Sequence, residues 1–179
     1  MKSIKLTQGK EAIVDNEHFD ELNQYKWSCD SHGYAVRFTT IQSQNKKLGI
    51  KQKRKTILMH KVINNTPDGF HTDHINGNTL DNRKDNLRTA TASQNQGNTN
   101  KRVNNTSGFK GVSWSKRANK WVAQIRCNNQ QLYLGLFDNL QEAAIAYNNK
   151  ALELFGEFAS IGELKIISSA GTITILASP

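Results

Sequence analysis

The residues most able to do chemistry lie between Asp73 and Asn95. Asp73-His74-Ile75-Asn76-Gly77-Asn78-Thr79-Leu80-Asp81-Asn82-Arg83-Lys84-Asp85-Asn86-Leu87-Arg88 sets a carboxylate beside an imidazole, then runs through a stretch dense in Asn, Asp and Gly. Such residues build turns and cap helices rather than fill cores. His74 titrates close to neutrality and can take a proton at physiological pH. Asp73 and the amide of Asn95 offer hard oxygen atoms, which suit Mg²⁺ or Mn²⁺ and disfavour zinc. Thr91-Ala92-Ser93-Gln94 has the spacing of a capping box, so a helix is expected after Thr91 with Asn95 in its first turn. The other histidines are weaker. His71 reads as a loop residue, His60 as a packing residue, and His18 and His32 have no constellation around them.

This segment resembles the HNH endonuclease family, in its phage- and intron-associated homing form. There a strand ends in Asp-His, an Asn- and Asp-rich loop returns through Asn-Leu-Arg, and a helix supplies the last ligand. The final histidine of the motif is Asn95 here, a variant known in the homing group. The resemblance implies that Asn95 faces back towards Asp73 and His74. It implies one metal ion, Mg²⁺ or Mn²⁺, held by Asp73 and Asn95, with His74 as general base and Asn86 holding the loop and orienting that base. A phosphodiester needs such parts, because its charge repels water and its 3′ oxygen leaves poorly. A single metal fits the ligand count better than a pair, which would want more carboxylates.

Charge agrees with a polyanionic partner. The chain of 179 residues has a net charge of +9. Lysine and arginine gain by displacing counterions from phosphates. After Asp85 no acid appears until Asp138, and between Asp30 and Asp68 there is none either, while each interval carries many cations. Two cysteines, Cys29 and Cys127, make no paired motif. That excludes a disulfide framework and a four-cysteine zinc clamp. The opening Met1-Lys2-Ser3-Ile4-Lys5 leads into no apolar stretch, so neither a signal peptide nor a membrane span is expected. The expected setting is the cytoplasm of a bacterial host, with a phage or mobile element as source.

An apolar fraction of 36% suits two small cores better than one large one. Residues 1–58 read as a strand-rich support, with turns at Asp15-Asn16 and Ser31-His32-Gly33 and a basic loop or hairpin tip from Gln42 to Lys55. A short helix is expected over Ile57–Asn64, with Leu58, Val62 and Ile63 facing inward. Residues 59–98 are the expected ββα-metal core, 99–106 a linker, 107–159 a second domain, and 160–179 a tail of no assigned role. In the second domain, strands are expected near Lys110–Trp114, Trp121–Cys127 and Gln131–Phe137. Leu132, Leu134 and Leu136 alternate onto a core face. A helix then runs from an Asn139 cap, with Glu142 close to a capping box. It lays Leu140, Ala143, Ala144, Tyr147, Ala151 and Leu154 on one stripe and stops at Gly156. The fold class is therefore α+β, a ββα-metal nuclease unit followed by a three-stranded antiparallel sheet with one helix.

That second domain resembles the AP2 DNA-binding family through Phe109-Lys110-Gly111-Val112, Lys120-Trp121-Val122-Ala123-Gln124-Ile125-Arg126, Leu132-Tyr133-Leu134-Gly135-Leu136-Phe137-Asp138 and Glu142-Ala143-Ala144-Ile145-Ala146-Tyr147. The family lays its sheet in the DNA major groove. The resemblance implies a reading face of Lys110, Ser113, Trp114, Lys116, Arg117, Lys120, Gln124, Arg126 and Tyr133, with Trp121 partly in the core. Ser113 and Tyr133 stand where the family carries an arginine and a tryptophan, which bears on the site read and not on the fold. Lys101 and Arg102 in the linker are expected to follow the DNA backbone or minor groove. The whole reads as a site-specific homing endonuclease acting on double-stranded DNA, with no obligate protein partner, a monomer that nicks. Its rivals are a non-catalytic DNA-binding regulator and a nonspecific nuclease.

Overall fold

The computed structural model describes residues 1–41, 53–99, 101, 104–162, 164–168 and 171–175. The basic stretch at 42–52 and Arg102 lie outside them. The chain divides into two compact units, Met1–Ala90 and Thr91–Pro179. Both are mixed α/β, built on small antiparallel sheets. Among the described residues no helix is long and apolar enough to cross a membrane.

The first unit runs β1 (Lys2–Lys5), β2 (Glu11–Val14), α1 (Asn16–Leu22), β3 (Ser28–Cys29), β4 (Ala35–Ile41), β5 (Lys53–Leu58), α2 (Met59–Asn64), β6 (His71–His74) and β7 (Leu87–Ala90). Its core is one apolar cluster that includes Ile4, Val14, Leu22, Trp27, Ala35, Met59 and Leu87. Period-two burial explains the first hairpin, because Ala12 and Val14 point inward on β2 while Glu11 stays out. Two expectations need correction. Asp15-Asn16 opens helix α1 rather than a simple turn, since Asp15 is its extended N-cap residue. In α2 the buried residues are Met59, His60 and Ile63, and Val62 is exposed. Ile57 and Leu58 belong to β5, where strand pairing with β4 takes them out of the helix.

The hairpin β6–β7 carries the chemical motif, with Asp73 opposite Arg88 and His74 opposite Leu87. Residues 75–86 cross between the strands and end in a single 3-10 turn, Lys84–Asn86. This crossing is tied to β2, because Ile13 donates to the Leu80 carbonyl and Asn82 donates to the Ile13 carbonyl, each at 2.8 Å.

The second unit holds α3 (Ala92–Gly97), β8 (Val112–Ser115), β9 (Lys120–Cys127), β10 (Gln130–Phe137), α4 (Leu140–Phe155), β11 (Leu164–Ser168) and β12 (Gly171–Ile175). The order β10-β9-β8 makes a three-stranded sheet. Helix α4 packs on it through Ala143, Ala144, Tyr147, Ala151 and Phe155. Phe155 takes the inward place expected of Leu154. Asn139 caps α4 by accepting from the backbone N–H of Gln141 at 2.7 Å. The alternation expected along β10 breaks, because the register shifts between Tyr133 and Gly135. The extra residue is Leu134. Beyond it Leu136 pairs with Val122 and points out at 44% exposure, while Phe137 joins Trp121. In the stretch read as a tail of no assigned role, β11 pairs antiparallel with β12, from Leu164 with Ile175 to Ser168 with Gly171.

Close packing rests on two glycines. A Cβ at Gly97 would stand 2.7 Å from Cγ of Phe155, so α3 can meet α4 only without one. Gly111 has φ of +71°, and a Cβ there would overlap the Tyr147 ring. Asn105, in the expected linker, and Ser107, just past it, both bond within this unit. Asn105 Nδ2 donates to the Phe109 carbonyl at 2.8 Å, and Ser107 Oγ to the Val112 carbonyl at 2.8 Å.

Candidate active site

Asp73 and His74 close strand β6, and both are 4% exposed. Asp73 Oδ2 accepts a hydrogen bond from Arg88 Nε at 2.8 Å, across the β6–β7 pair. The His74 ring sits among aromatic neighbours. It is edge-on to His60 at 5.1 Å and tilted against Tyr34 at 5.8 Å, and Tyr34 and His60 meet edge-on at 4.9 Å. Tyr34 precedes β4 and His60 lies on α2, so the packing of the whole first unit fixes the plane of this imidazole.

The amide that faces His74 is Asn82, whose Oδ1 lies 3.4 Å from Nε2. Asn82 is fully buried, and its Nδ2 donates to the Leu80 carbonyl at 3.3 Å. With the amide nitrogen committed there, the oxygen is what meets the ring. The pair favours the tautomer protonated on Nε2, which puts the lone pair on Nδ1. Burial holds the His74 imidazole below its ordinary protonation range, with the Asn82 hydrogen bond and the Asp73 and Asp81 carboxylates partly offsetting it. The ring is therefore neutral at physiological pH, as a proton acceptor must be.

Asn86 anchors the crossing loop. Its Oδ1 accepts from the Asn76 N–H at 3.0 Å, and its Nδ2 donates to Asn76 Oδ1 at 3.0 Å and to the Asp81 carbonyl at 2.8 Å. Asp81 is gripped by Arg83 through Nε at 2.8 Å and Nη2 at 2.7 Å, and by Asn76 Nδ2 at 2.9 Å. The Arg83 hydrogen bonds, chief among these contacts, hold the Asp81 carboxyl below the usual carboxylate range. The loop is thus a closed amide and carboxylate network, which fixes the backbone that leaves His74.

Asn95 lies on α3 in the second unit, half-buried, its N–H donating to the Thr91 carbonyl at 2.9 Å. The expected capping box is present. Gln94 N–H donates to Thr91 Oγ1 at 3.2 Å, and Thr91 N–H to Gln94 Oε1 at 2.9 Å.

Among the described residues no three His, Cys, Asp or Glu side chains gather into a metal cluster. Asp73 supplies the acidic oxygen beside His74. A carboxylate is a hard donor. It suits a cation that keeps several of its waters, as Mg²⁺ does, and not tetrahedral zinc.

In the second unit the register sorts the expected reading face. Ser113, Gln124, Arg126 and Tyr133 share the side of the sheet away from α4. Trp114 pairs with Trp121 on the other side, their rings 5.0 Å apart and edge-on. Lys116 and Arg117 are exposed in the β8–β9 turn, and Lys120 pairs with Asp138 at 3.1 Å. Lys110 Nζ donates to the Gly97 carbonyl at 2.7 Å, and burial pushes its ammonium down to about 8. Lys101 Nζ donates to the Gly108 carbonyl at 2.9 Å.

Sequence reading missed Asn82, Asp81, Arg88 and Tyr34. The first three lie inside the motif segment, so the signal was present. Tyr34 has none, because only the fold brings it to His74.

The HNH endonuclease family matches residues 65–96. The chain is 36% identical over 110 residues to Protein 3.8 of Escherichia phage T7, covering 61% of this chain and 90% of that one. It is 30% identical over 153 residues to the Uncharacterized HNH endonuclease L560 of Acanthamoeba polyphaga mimivirus, covering 86% and 75% respectively. A shorter similarity, 40% over 53 residues, covers 27% of this chain and 33% of the ethylene-responsive transcription factor ERF069 of Arabidopsis thaliana. No solved structure matches.

Proposed function

The chain belongs to the HNH endonuclease family and carries an AP2-like region, and from that premise we propose that it is a site-specific DNA endonuclease of the homing type. The observation that carries this reading is the neutral, oriented imidazole of His74, set by Asn82 and placed beside the Asp73 carboxylate.

His74 accepts the proton of the attacking water at Nδ1, while its Nε2–H stays on the Asn82 oxygen. That hydrogen bond steadies the imidazolium as it forms. Asp73 would hold the divalent ion, Mg²⁺ or Mn²⁺, with Arg88 fixing the carboxylate's rotamer. When bound, that ion supplies charge neutralisation at the phosphate and at the departing 3′ oxygen. Asn95 enters as a second oxygen ligand from the family pattern. Asn86 acts at a distance from the reaction, by holding the loop from which Asn82 is presented.

The AP2-like region supplies site selection. Gln124, Arg126 and Tyr133 offer amide, guanidinium and aromatic contacts to base edges, and Lys116 and Arg117 contact phosphates. Tethering a weakly specific cutter to such a reader makes the second contact effectively intramolecular.

Supercoiled plasmid incubated with Mg²⁺ tests the reading. Nicking that EDTA stops and that His74→Ala abolishes, with DNA affinity within a few fold of the parent, is the expected result. Binding without cleavage in Mg²⁺ or Mn²⁺ would leave a DNA-binding regulator. Equal cutting of every plasmid at every position would leave a nonspecific nuclease.

A further inference from the structure

The hairpin β4–β5 does more than support the site. Its inner end is packed, with Val36 and Met59 in the interior and Arg37 lying 3.9 Å over the Tyr25 ring and 5.6 Å from that of Trp27. From Arg37 outward, among the described residues, the two strands pair with each other and with no third strand. The cross-strand pairs Phe38–Thr56 and Thr40–Arg54 fall on one face. All four residues are exposed, Phe38 to 58%. Lys55 projects from the opposite face, and the interval from Ser31 to Pro67 has no acid.

Beyond the Arg37–Ile57 pair, none of the described residues of this ribbon belongs to the core cluster. A two-stranded ribbon is narrow enough for the major groove of B-form DNA, which is about 12 Å wide and 8.5 Å deep. Arg37 to Ile41 spans roughly 13 Å at the rise of an extended strand, enough to reach the groove floor. The open face has the chemistry that such a floor rewards. Phe38 and the methyls of Thr40 and Thr56 can lie against thymine methyls, and Arg54 can fork onto guanine O6 and N7.

We propose that the β4–β5 ribbon is a DNA-reading arm of the nuclease unit, entering the major groove with Phe38, Thr40, Arg54 and Thr56 towards the base edges. The ribbon's cationic, acid-free character complements the phosphates that flank the groove. The proposal rests on the nuclease reading only in taking duplex DNA as the ligand. It adds a second sequence-reading element, distinct from the AP2-like sheet.

The test uses the full chain carrying His74→Ala, in Mg²⁺-free buffer, so that cleavage plays no part in the readout. Gel shift on a single 60-bp duplex, selected from a random-sequence library by repeated binding to the parent chain, gives affinity, and dimethyl sulfate protection of guanine N7 reports the major groove. Adding Phe38→Ala and Arg54→Ala should weaken binding roughly ten- to a hundred-fold. One patch of N7 protection should vanish while the rest of the footprint stays, with no change in thermal midpoint. Unchanged affinity and protection would overturn the arm, and plasmid nicking by the parent chain would still uphold the nuclease. An equal loss of affinity for A-form duplex RNA would reduce the ribbon to bulk charge and also overturn it. A parent chain that binds no duplex DNA would remove both readings.

Discussion

Asn82, with no exposed surface, turns its amide oxygen to within 3.4 Å of His74 Nε2 and so decides which ring nitrogen keeps the proton. Asn82→Ala should lower the cleavage rate about 10- to 100-fold, the usual cost of losing an orienting partner. DNA affinity should change little. Asn82→Asp keeps an acceptor but adds charge, which raises the imidazole's proton affinity. The acid limb of its pH–rate profile should move to higher pH, a displacement that a purely structural role would not produce.

His60 makes the first unit acid-sensitive. Burial, with His74 and Lys61 nearby, pushes its imidazole down to about 3, and among the described residues its Nδ1 has no hydrogen-bond partner. From pH 6.5 down towards 3 the unfolded chain carries a proton there that the folded chain does not. Stability is therefore full above 6.5 and falls with acidification, at about 1.4 kcal/mol per pH unit for each such group. His60→Phe should flatten urea midpoints measured between pH 6.5 and 4.5. His74 acts in the same direction, so part of the slope remains.

Gly111 is the position where the second unit tolerates a side chain least. Gly111→Ala combines a positive φ with overlap of the Tyr147 ring. The cost should be about 3 kcal/mol or more. Denaturant unfolding of the full chain should show the second unit melting early, while Gly108→Ala, at an open position with a similar φ, should cost less.

Salt should govern binding. If about six phosphates are neutralised, log affinity falls against log salt with a slope of roughly −5. Lys116→Ala with Arg117→Ala should reduce that slope by about 2. A flat response in the parent would exclude these cations as phosphate contacts.

Local patterns were legible and distant ones were not. Asp73-His74, the Thr91–Gln94 box and the strand-strand-strand-helix order of the second unit depend on neighbours in sequence, and each could be read from residue type and period. Helix α1 was not, because Asp15-Asn16 suits a turn as well as a helix start and the helix is only seven residues long. Asn86 and Asn82 look alike in an asparagine-rich loop. Which amide meets the imidazole depends on the Ile13 and Leu80 backbone pairing, a tertiary fact. Tyr34 reaches His74 only because β4 and β6 fold into one unit.

Leu134 leaves β10 with two phases. Residues before it obey one parity of inside and outside, and residues after it obey the opposite. Deleting that one leucine would bring the strand into step while leaving Phe137 opposite Trp121 and Leu136 opposite Val122. A relative without that residue would keep the same inner and outer faces and lose only the bulge.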